Sequence, residues 1–319
     1  MVSLRTLLAG SVLAIGALAA SLEKRAVEPG VVKGDTFIHD PTVVKKPDGT
    51  YLAAFTANGI GLKTSTDRTT WKDVGAAFPN GAAWTTTYTK GDKNLWAPDL
   101  SYHNGQYYMY YSASSFGTSR SAIFLATSKT GASGSWTDAG RVIESFDNSN
   151  FNAIDPNLYV ATDGKWWLSF GSFWGGLKLV ELNPSTGKPL NANNLVSIAA
   201  RPNAGGAIEA PVITKHGNYF YLWAAFDKCC LGVDSTYRTM VGRSTSITGP
   251  YVDKAGVSMM NGGGTQLLAS HGDIHGPGHP AVFTDSDADV LVYHYYNAQG
   301  TAQLGINLIR YDNGWPTVY

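Results

Sequence analysis

Ile154-Asp155-Pro156-Asn157-Leu158 is followed by the aromatic hairpin Asp163-Gly164-Lys165-Trp166-Trp167-Leu168-Ser169-Phe170 and then by the apolar run Gly175-Gly176-Leu177-Lys178-Leu179-Val180-Glu181-Leu182. This three-part phrase recurs along the chain. Its opening segment returns as Ile38-His39-Asp40-Pro41-Thr42, Trp96-Ala97-Pro98-Asp99-Leu100, Ile208-Glu209-Ala210-Pro211-Val212 and Gly278-His279-Pro280-Ala281-Val282. Each copy has its own hairpin, beginning near Asp48-Gly49, Asn104-Gly105, His216-Gly217 or Asp287, and its own third strand at residues 59–66, 121–128, 238–245 or 304–311. With Asp40, Asp99, Asp155, Glu209 and His279 as markers, the units fall 59, 56, 54 and 70 residues apart. Self-similarity at such a period is the signature of a repeat array.

Turn dipeptides between alternating or aromatic-rich runs predict antiparallel hairpins. A fourth strand is predicted around Trp71, Trp136 and Tyr251. No stretch beyond residue 30 carries a capped apolar period of 3.6, so helix should be scarce. Five sheets of about four antiparallel strands, set radially, make an all-β, single-domain five-bladed β-propeller. A pair of packed sheets fits less well, because five units with one polar mark each do not divide between two sheets.

The chain has 24 Lys+Arg against 24 Asp+Glu, with 44% hydrophobic and only 15% charged residues. Zero net charge gives no electrostatic case for nucleic acid or an anionic membrane as partner. A neutral polymer suits it better, and 9 Trp, 17 Tyr and 12 Phe supply rings that could stack on sugars. Arg5 precedes an apolar run from Leu7 to Ala20 that is too short to span a bilayer, so residues 1–20 read as a secretory signal peptide. Lys24-Arg25 then reads as a dibasic processing site, making 21–25 a short propeptide and 26–319 the mature, extracellular domain. Cys229 and Cys230 are the only cysteines. Any intramolecular disulfide must therefore be vicinal, and secretion favours one over two buried thiols. With no other cysteine, a multi-thiolate metal site is not expected.

Asp40, Asp155 and Glu209 sit at matching places in units one, three and four, and the innermost strand of a blade lines the channel. All three should therefore point toward the axis. Converging carboxylates in a sugar-sized funnel suggest glycoside hydrolysis, which needs one carboxyl as acid and another as base or nucleophile. A lone Asp-Pro is more often a turn or strand start; the recurrence is what turns the reading toward chemistry.

The set His39-Asp40-Pro41, Trp96-Ala97-Pro98-Asp99, Asn152-Ala153-Ile154-Asp155-Pro156, Phe170-Gly171-Ser172-Phe173-Trp174-Gly175-Gly176, Ile208-Glu209-Ala210-Pro211 and Gly276-Pro277-Gly278-His279 resembles glycoside hydrolase family 43. The resemblance covers residues 34 to 319 and is nearest to secreted fungal members that cut α-1,5-linked arabinan internally. It implies a five-bladed propeller and hydrolysis with inversion. It makes Asp40 the general base and Glu209 the general acid. Asp155 would hold Glu209 and raise its pKa, because a neighbouring negative charge disfavours ionisation. It also implies that His279 binds a hydrated metal ion, often calcium, in the channel, with waters filling the shell that one nitrogen cannot. His271, His275 and His294 compete for that assignment. No organic cofactor is expected.

Trp96, Phe116 and Trp174 are candidates for the sugar platform, with His39, Asn152 and Ser172 as polar contacts. Trp166, Trp167 and Trp223 read as blade core, and Asp99 as a structural hydrogen-bonder. The leading function is endo-hydrolysis of linear arabinan by a monomer. The alternatives are an exo-acting α-L-arabinofuranosidase or β-xylosidase with the same carboxylates, and a non-catalytic sugar-binding propeller.

Overall fold

Side chains alternate across a strand, so in the run Tyr107 to Tyr111 successive residues face opposite ways. In the computed structural model, which describes residues 26–319, Tyr107, Met109 and Tyr111 pack with Leu52, Ala54 and Leu62 of the preceding unit. Tyr108 and Tyr110 pack instead with Trp166, Leu168 and Phe170 of the next. Both faces of the hairpin are buried, which is why it carries bulky side chains at every position rather than at alternate ones.

The same division holds around the molecule. Leu222, Ala224 and Phe226 meet Leu177 and Leu179. Tyr221 and Trp223 meet Leu291 and Tyr293. Val290 and Val292 meet Tyr51, Ala53 and Phe55 of the first unit. Five inter-sheet cores therefore close a ring, the five-bladed β-propeller that the repeat predicted. Trp166 and Trp223 are buried in these cores and Trp167 packs against one, as expected.

From the axis outward, blade one is Thr42–Lys45, Tyr51–Phe55, Gly61–Ser65 and Thr70–Ala76, with Lys33–Gly34 parallel to the last strand. Blade two is Asn94–His103, Gln106–Ala113, Ser121–Ser128 and Thr137–Ser145. Blade three is Asn157–Val160, Trp166–Phe170 and Leu177–Asn183, whose outer edge pairs with both Lys188–Pro189 and Val196–Ala199. Blade four is Ile208–His216, Tyr219–Phe226, Arg238–Ser244 and Thr265–Leu268. Blade five, His275–Thr284, Asp289–Tyr296, Ala302–Asp312 and Trp315–Val318, is built entirely from the C-terminal chain.

Trp71 lies in a fourth strand and Trp136 immediately precedes one, as the sequence indicated. Tyr251 does not. Val252 makes only isolated bridges to Arg243 and Ser258, and the chain turns through Met259–Asn261 before Thr265–Leu268 completes the sheet. Among the described residues the only α-helix is Thr86–Thr89. The expected signal peptide and propeptide, residues 1–25, lie outside the described residues.

Candidate active site

Every blade carries, just before its inner strand or within that strand's first half, a residue followed by proline, and every such residue has a left-handed backbone: Asp40 (φ 48°), Ala97 (46°), Asp155 (57°), Ala210 (52°) and His279 (54°). Asp and His tolerate this region better than most side chains, whereas Ala has no such advantage. Such conformations cost about 1–3 kcal/mol each and survive only where the surroundings enforce them. The pairing slips between Trp96 and Asp99, Glu209 and Val212, and Gly278 and Ala281, as in a β-bulge that re-aims side chains. The true repeat point is thus the residue before proline. Glu209 precedes it by one residue and Asp99 follows it by two, which corrects the marker alignment drawn from sequence.

Asp40 sits in a basket of donors. Thr56 Oγ1 donates to Oδ2 at 2.6 Å, His39 Nδ1 lies 2.9 Å from Oδ2, and His279 Nδ1 lies 3.1 Å from Oδ1. Its backbone N–H donates to His294 Nδ1 at 3.1 Å. Burial alone would raise its pKa, but His39, His279 and His294 together hold Asp40 well below the ordinary carboxylate range. Burial lowers His39, yet the Asp40 carboxylate outweighs it and leaves the imidazole raised. The pair is mutually stabilised in its charged form.

Asp155 and Glu209 are different. Glu209 accepts from Ser172 Oγ at 2.5 Å, while Asp155 Oδ2 accepts the N–H of Ala210, the residue after Glu209, at 3.2 Å. Burial, opposed by Ser172 and reinforced by the Asp40 charge, raises Glu209 to about 7. Burial, then Glu209, then Asp40 raise Asp155 well above its usual value. Two buried carboxyls next to a fixed anion share protons rather than both ionise. The lift on Glu209 therefore comes first from burial and then from Asp40, not from a permanently charged Asp155.

All three carboxyls line one open cavity of about 1430 Å³. His39, Trp96, Phe116, Asn152, Ser172, Trp174 and His279 line it as well, so the sequence-based candidates come together. Phe116 is 88% exposed and Trp174 44%, as free rims should be, whereas Trp96 is half-buried. Trp174 stands on a clipped loop. Phe173 N–H donates to Ile208 O at 2.9 Å, and a Cβ on Gly175 would lie 2.1 Å from Asn150 O, so only glycine fits behind it. Asn152 is buried with Oδ1 unpartnered, whereas the Ser172 hydroxyl is already engaged by Glu209. Asp99 is off the groove and accepts from Leu158 N–H and Asn157 Nδ2, as a structural residue would.

Sequence reasoning missed Thr56 and Tyr296, and did not foresee that Cys229 and Cys230 line the groove. These two are joined as the vicinal disulfide. Thr56, just past a hairpin strand, and His294, near the end of one, had a faint signal, since each sits opposite the residue before the left-handed one.

Among the competing histidines, His294 is fully buried with Nδ1 committed to the Asp40 amide. His271 lies beside Glu28, at 3.4 Å. Neither it nor His275 lines the groove. The cluster of His39 with Cys229 and Cys230 offers disulfide sulfurs rather than thiolates. His279 fits a hydrated ion better. Burial lowers its pKa, keeping the ring neutral, and Asp40 fixes Nδ1, the arrangement that orients a metal-binding imidazole.

The family model for glycosyl hydrolases family 43 matches residues 31–316. The chain is 45% identical over 286 residues to the extracellular endo-α-(1→5)-L-arabinanase 1 of Bacillus subtilis (strain 168), covering 88% of this chain and 87% of that protein. It is 40% identical over 299 residues to the extracellular exo-α-(1→5)-L-arabinofuranosidase ArbA of Cellvibrio japonicus (strain Ueda107), covering 88% and 86%. Among solved structures, the GH43 endo-arabinanase from Bacillus licheniformis superposes with a TM-score of 0.84 at 48% identity, covering 90% of this chain and 99% of that one.

Proposed function

Because the chain belongs to glycosyl hydrolase family 43, and is therefore a glycoside hydrolase, we propose that it cuts internal α-1,5-L-arabinofuranosidic linkages of linear arabinan, outside the cell and with inversion at the anomeric carbon. The observation that carries this reading is the opposed ionisation of two carboxyls lining one open groove. Asp40 is held anionic and Glu209 is lifted to about 7. Environments that push paired carboxyls apart mark out a base and an acid.

Asp40 accepts a proton from the water that attacks the anomeric carbon, and Thr56, His39 and His279 keep its lone pairs oriented. Glu209 gives its proton to the departing glycosidic oxygen. The Ser172 hydroxyl then stabilises the carboxylate left behind. Asp155 fixes the backbone beside Glu209 through the Ala210 N–H and shares its proton. His279 would hold a hydrated cation such as calcium, which supplies positive potential beside the anionic base. Phe116, Trp174 and Trp96 offer faces to successive sugar rings, and Asn152 offers a buried acceptor that a hydroxyl can fill. The intact acid–base pair argues against a purely sugar-binding role.

Endo action is supported by the names of the Bacillus relatives; the Cellvibrio relative supports the exo alternative. Early products from debranched arabinan separate them: mixed oligosaccharides are expected, and arabinose alone from the first minutes would overturn endo action. Proton NMR of the first product should show the anomer opposite to the substrate linkage. Retention would remove Asp40 as the base of a single displacement.

A further inference from the structure

We propose that the Cys229–Cys230 disulfide is a working part of the catalytic machinery: with Tyr296 it forms a clamp that positions His39, and through His39 the base Asp40. This rests on the reading of Asp40 as the base. The observations are continuous in space. Cys230 N–H donates to Tyr296 Oη at 3.1 Å, and Tyr296 Oη lies 2.8 Å from His39 Nε2. His39 Nδ1 lies 2.9 Å from Asp40 Oδ2. The Cys230 sulfur itself lies 3.8 Å from His39 Nε2.

A strand and a loop far apart in sequence are joined here. Tyr296 ends the second strand of blade five, while the cysteines lie on the loop between Tyr219–Phe226 and Arg238–Ser244 of blade four. That loop is tied down along its length. Lys228 N–H donates to Thr236 Oγ1, Thr236 N–H to Lys228 O, and Leu231 N–H to Ser235 Oγ. Cys229 packs on Ala210, Ala225 and Tyr237, against the strand that carries Glu209. A ring closed between adjacent cysteines removes the backbone freedom of that pair, and Cys230 is held at φ 68°. With the bond intact, its N–H keeps one direction, toward the Tyr296 oxygen.

His39 Nδ1 faces the Asp40 carboxylate at 2.9 Å, so what the clamp sets is the rotation of the ring within its own plane. His39 also stacks on buried His294 at 4.1 Å, which fixes one face of the ring but not its rotation within the plane. Tyr296 supplies the missing constraint. If it is loosened, the Asp40 oxygen that faces the attacking water loses its aim. A displacement of about 1 Å in a reacting group can cost on the order of a hundredfold in rate.

The test compares Tyr296→Phe, the double variant Cys229→Ser/Cys230→Ser, and wild-type enzyme reduced by a water-soluble phosphine. The phosphine gives two electrons and takes the oxygen of a water molecule, whose two protons go to the sulfurs, breaking the S–S bond to leave two thiols that a thiol reagent counts. Each should lower kcat on linear arabinan about ten- to a hundredfold while KM stays within about a factor of two. Reoxidation of the reduced enzyme should restore kcat. Adding Tyr296→Phe to the double serine variant should cost little more than either change alone, because both cut one chain of contacts.

A raised KM with unchanged kcat would reduce the disulfide to a groove wall and overturn the positioning role. Unchanged kinetics after two thiols have been counted, or fully additive losses, would overturn it as well. If the serine variant does not fold, as judged by circular dichroism, Tyr296→Phe and the reduced wild type still decide. Asp40→Ala separates the two readings: an active Asp40→Ala enzyme removes the base itself, whereas an inactive one beside an unaffected Tyr296→Phe enzyme removes only the clamp.

Discussion

Asp40 and Glu209 are both more than nine-tenths buried, yet their carboxyls titrate in opposite directions. The difference lies in their partners. Three histidines surround Asp40, whereas Glu209 has one hydroxyl and an anion nearby. Replacing either with Ala should lower kcat on linear arabinan by at least about a thousandfold with the melting temperature little changed, as steady-state kinetics and calorimetry would register. Glu209 acts protonated, so activity should fall as pH rises through about 7. Asp155→Asn puts a neutral amide where the carboxyl is itself raised well above its usual range, while burial and Asp40 still lift Glu209, so the alkaline limb of kcat/KM should stay near its wild-type pH. A limb that moves to the acid side would show a charged Asp155 lifting Glu209. Chelation should lower the melting temperature of the wild type and leave His279→Ala unaffected; equal responses would place the ion elsewhere. Asp40, Asp155 and His279 were legible because each precedes a proline at a repeating point. Tyr296 was not, since its role depends on which strand of blade five faces His39, and no local pattern encodes that.

Two residues past each left-handed position, the inner strands carry Thr42, Asp99, Asn157, Val212 and Ala281. The first three form a ladder from blade to blade. Leu100 N–H donates to Thr42 Oγ1, Leu158 N–H to Asp99 Oδ2, and Ile213 N–H to Asn157 Oδ1. Val212 has no acceptor to offer, so the ladder stops there. Burial raises Asp99 to about 7 against the pull of the Leu158 N–H and the Asn157 amide. Asp99→Ala would leave both donors buried and unpaired, which costs about 1–3 kcal/mol each at most. Denaturant unfolding should show that loss with kcat within about twofold; a large fall in kcat at unchanged stability would make Asp99 part of the site. The hairpins were readable because their faces are both buried and four of their five turns carry Gly. The fourth strand of blade four was not, because Gly249-Pro250-Tyr251-Val252 has strand-like composition but meets Arg243 at only one point.

A propeller must join its last blade to its first, and here the joint is made by packing, threading and charge. Val290, Val292, Leu304 and Ile306 pack on Ile38, Tyr51, Phe55 and Trp71. The segment before blade one lies along blade five: Gly30 N–H donates to Ile306 O, Leu304 N–H to Thr36 O, and Asn307 Nδ2 to Glu28 O, all at 2.9 Å. Its next residues, Lys33–Gly34, run parallel to Thr70 and Trp71. Residues 30–36 therefore bridge the two blades rather than donating a strand to blade five. Asp285, in the first turn of blade five, reaches blade one through Lys45 Nζ, Tyr51 Oη at 2.6 Å and Arg68 at 2.7 Å, and Arg68 also grips Asp287. Burial opposes its charge, but these donors hold Asp285 well below the usual carboxylate range. A carboxyl whose folded pKa is depressed contributes stability that is complete above its unfolded value of about 3.9 and fades as pH falls toward the folded one. Asp285→Ala should therefore lower the unfolding free energy by about 2 kcal/mol at neutral pH, since it strands the buried Tyr51 phenol and leaves Arg68 with Asp287 alone. The variant should also lose less melting temperature than the wild type between pH 4 and pH 2, because the group responsible for part of that loss is gone. Parallel acid slopes, measured calorimetrically, would show that the ring is closed by its apolar joint alone.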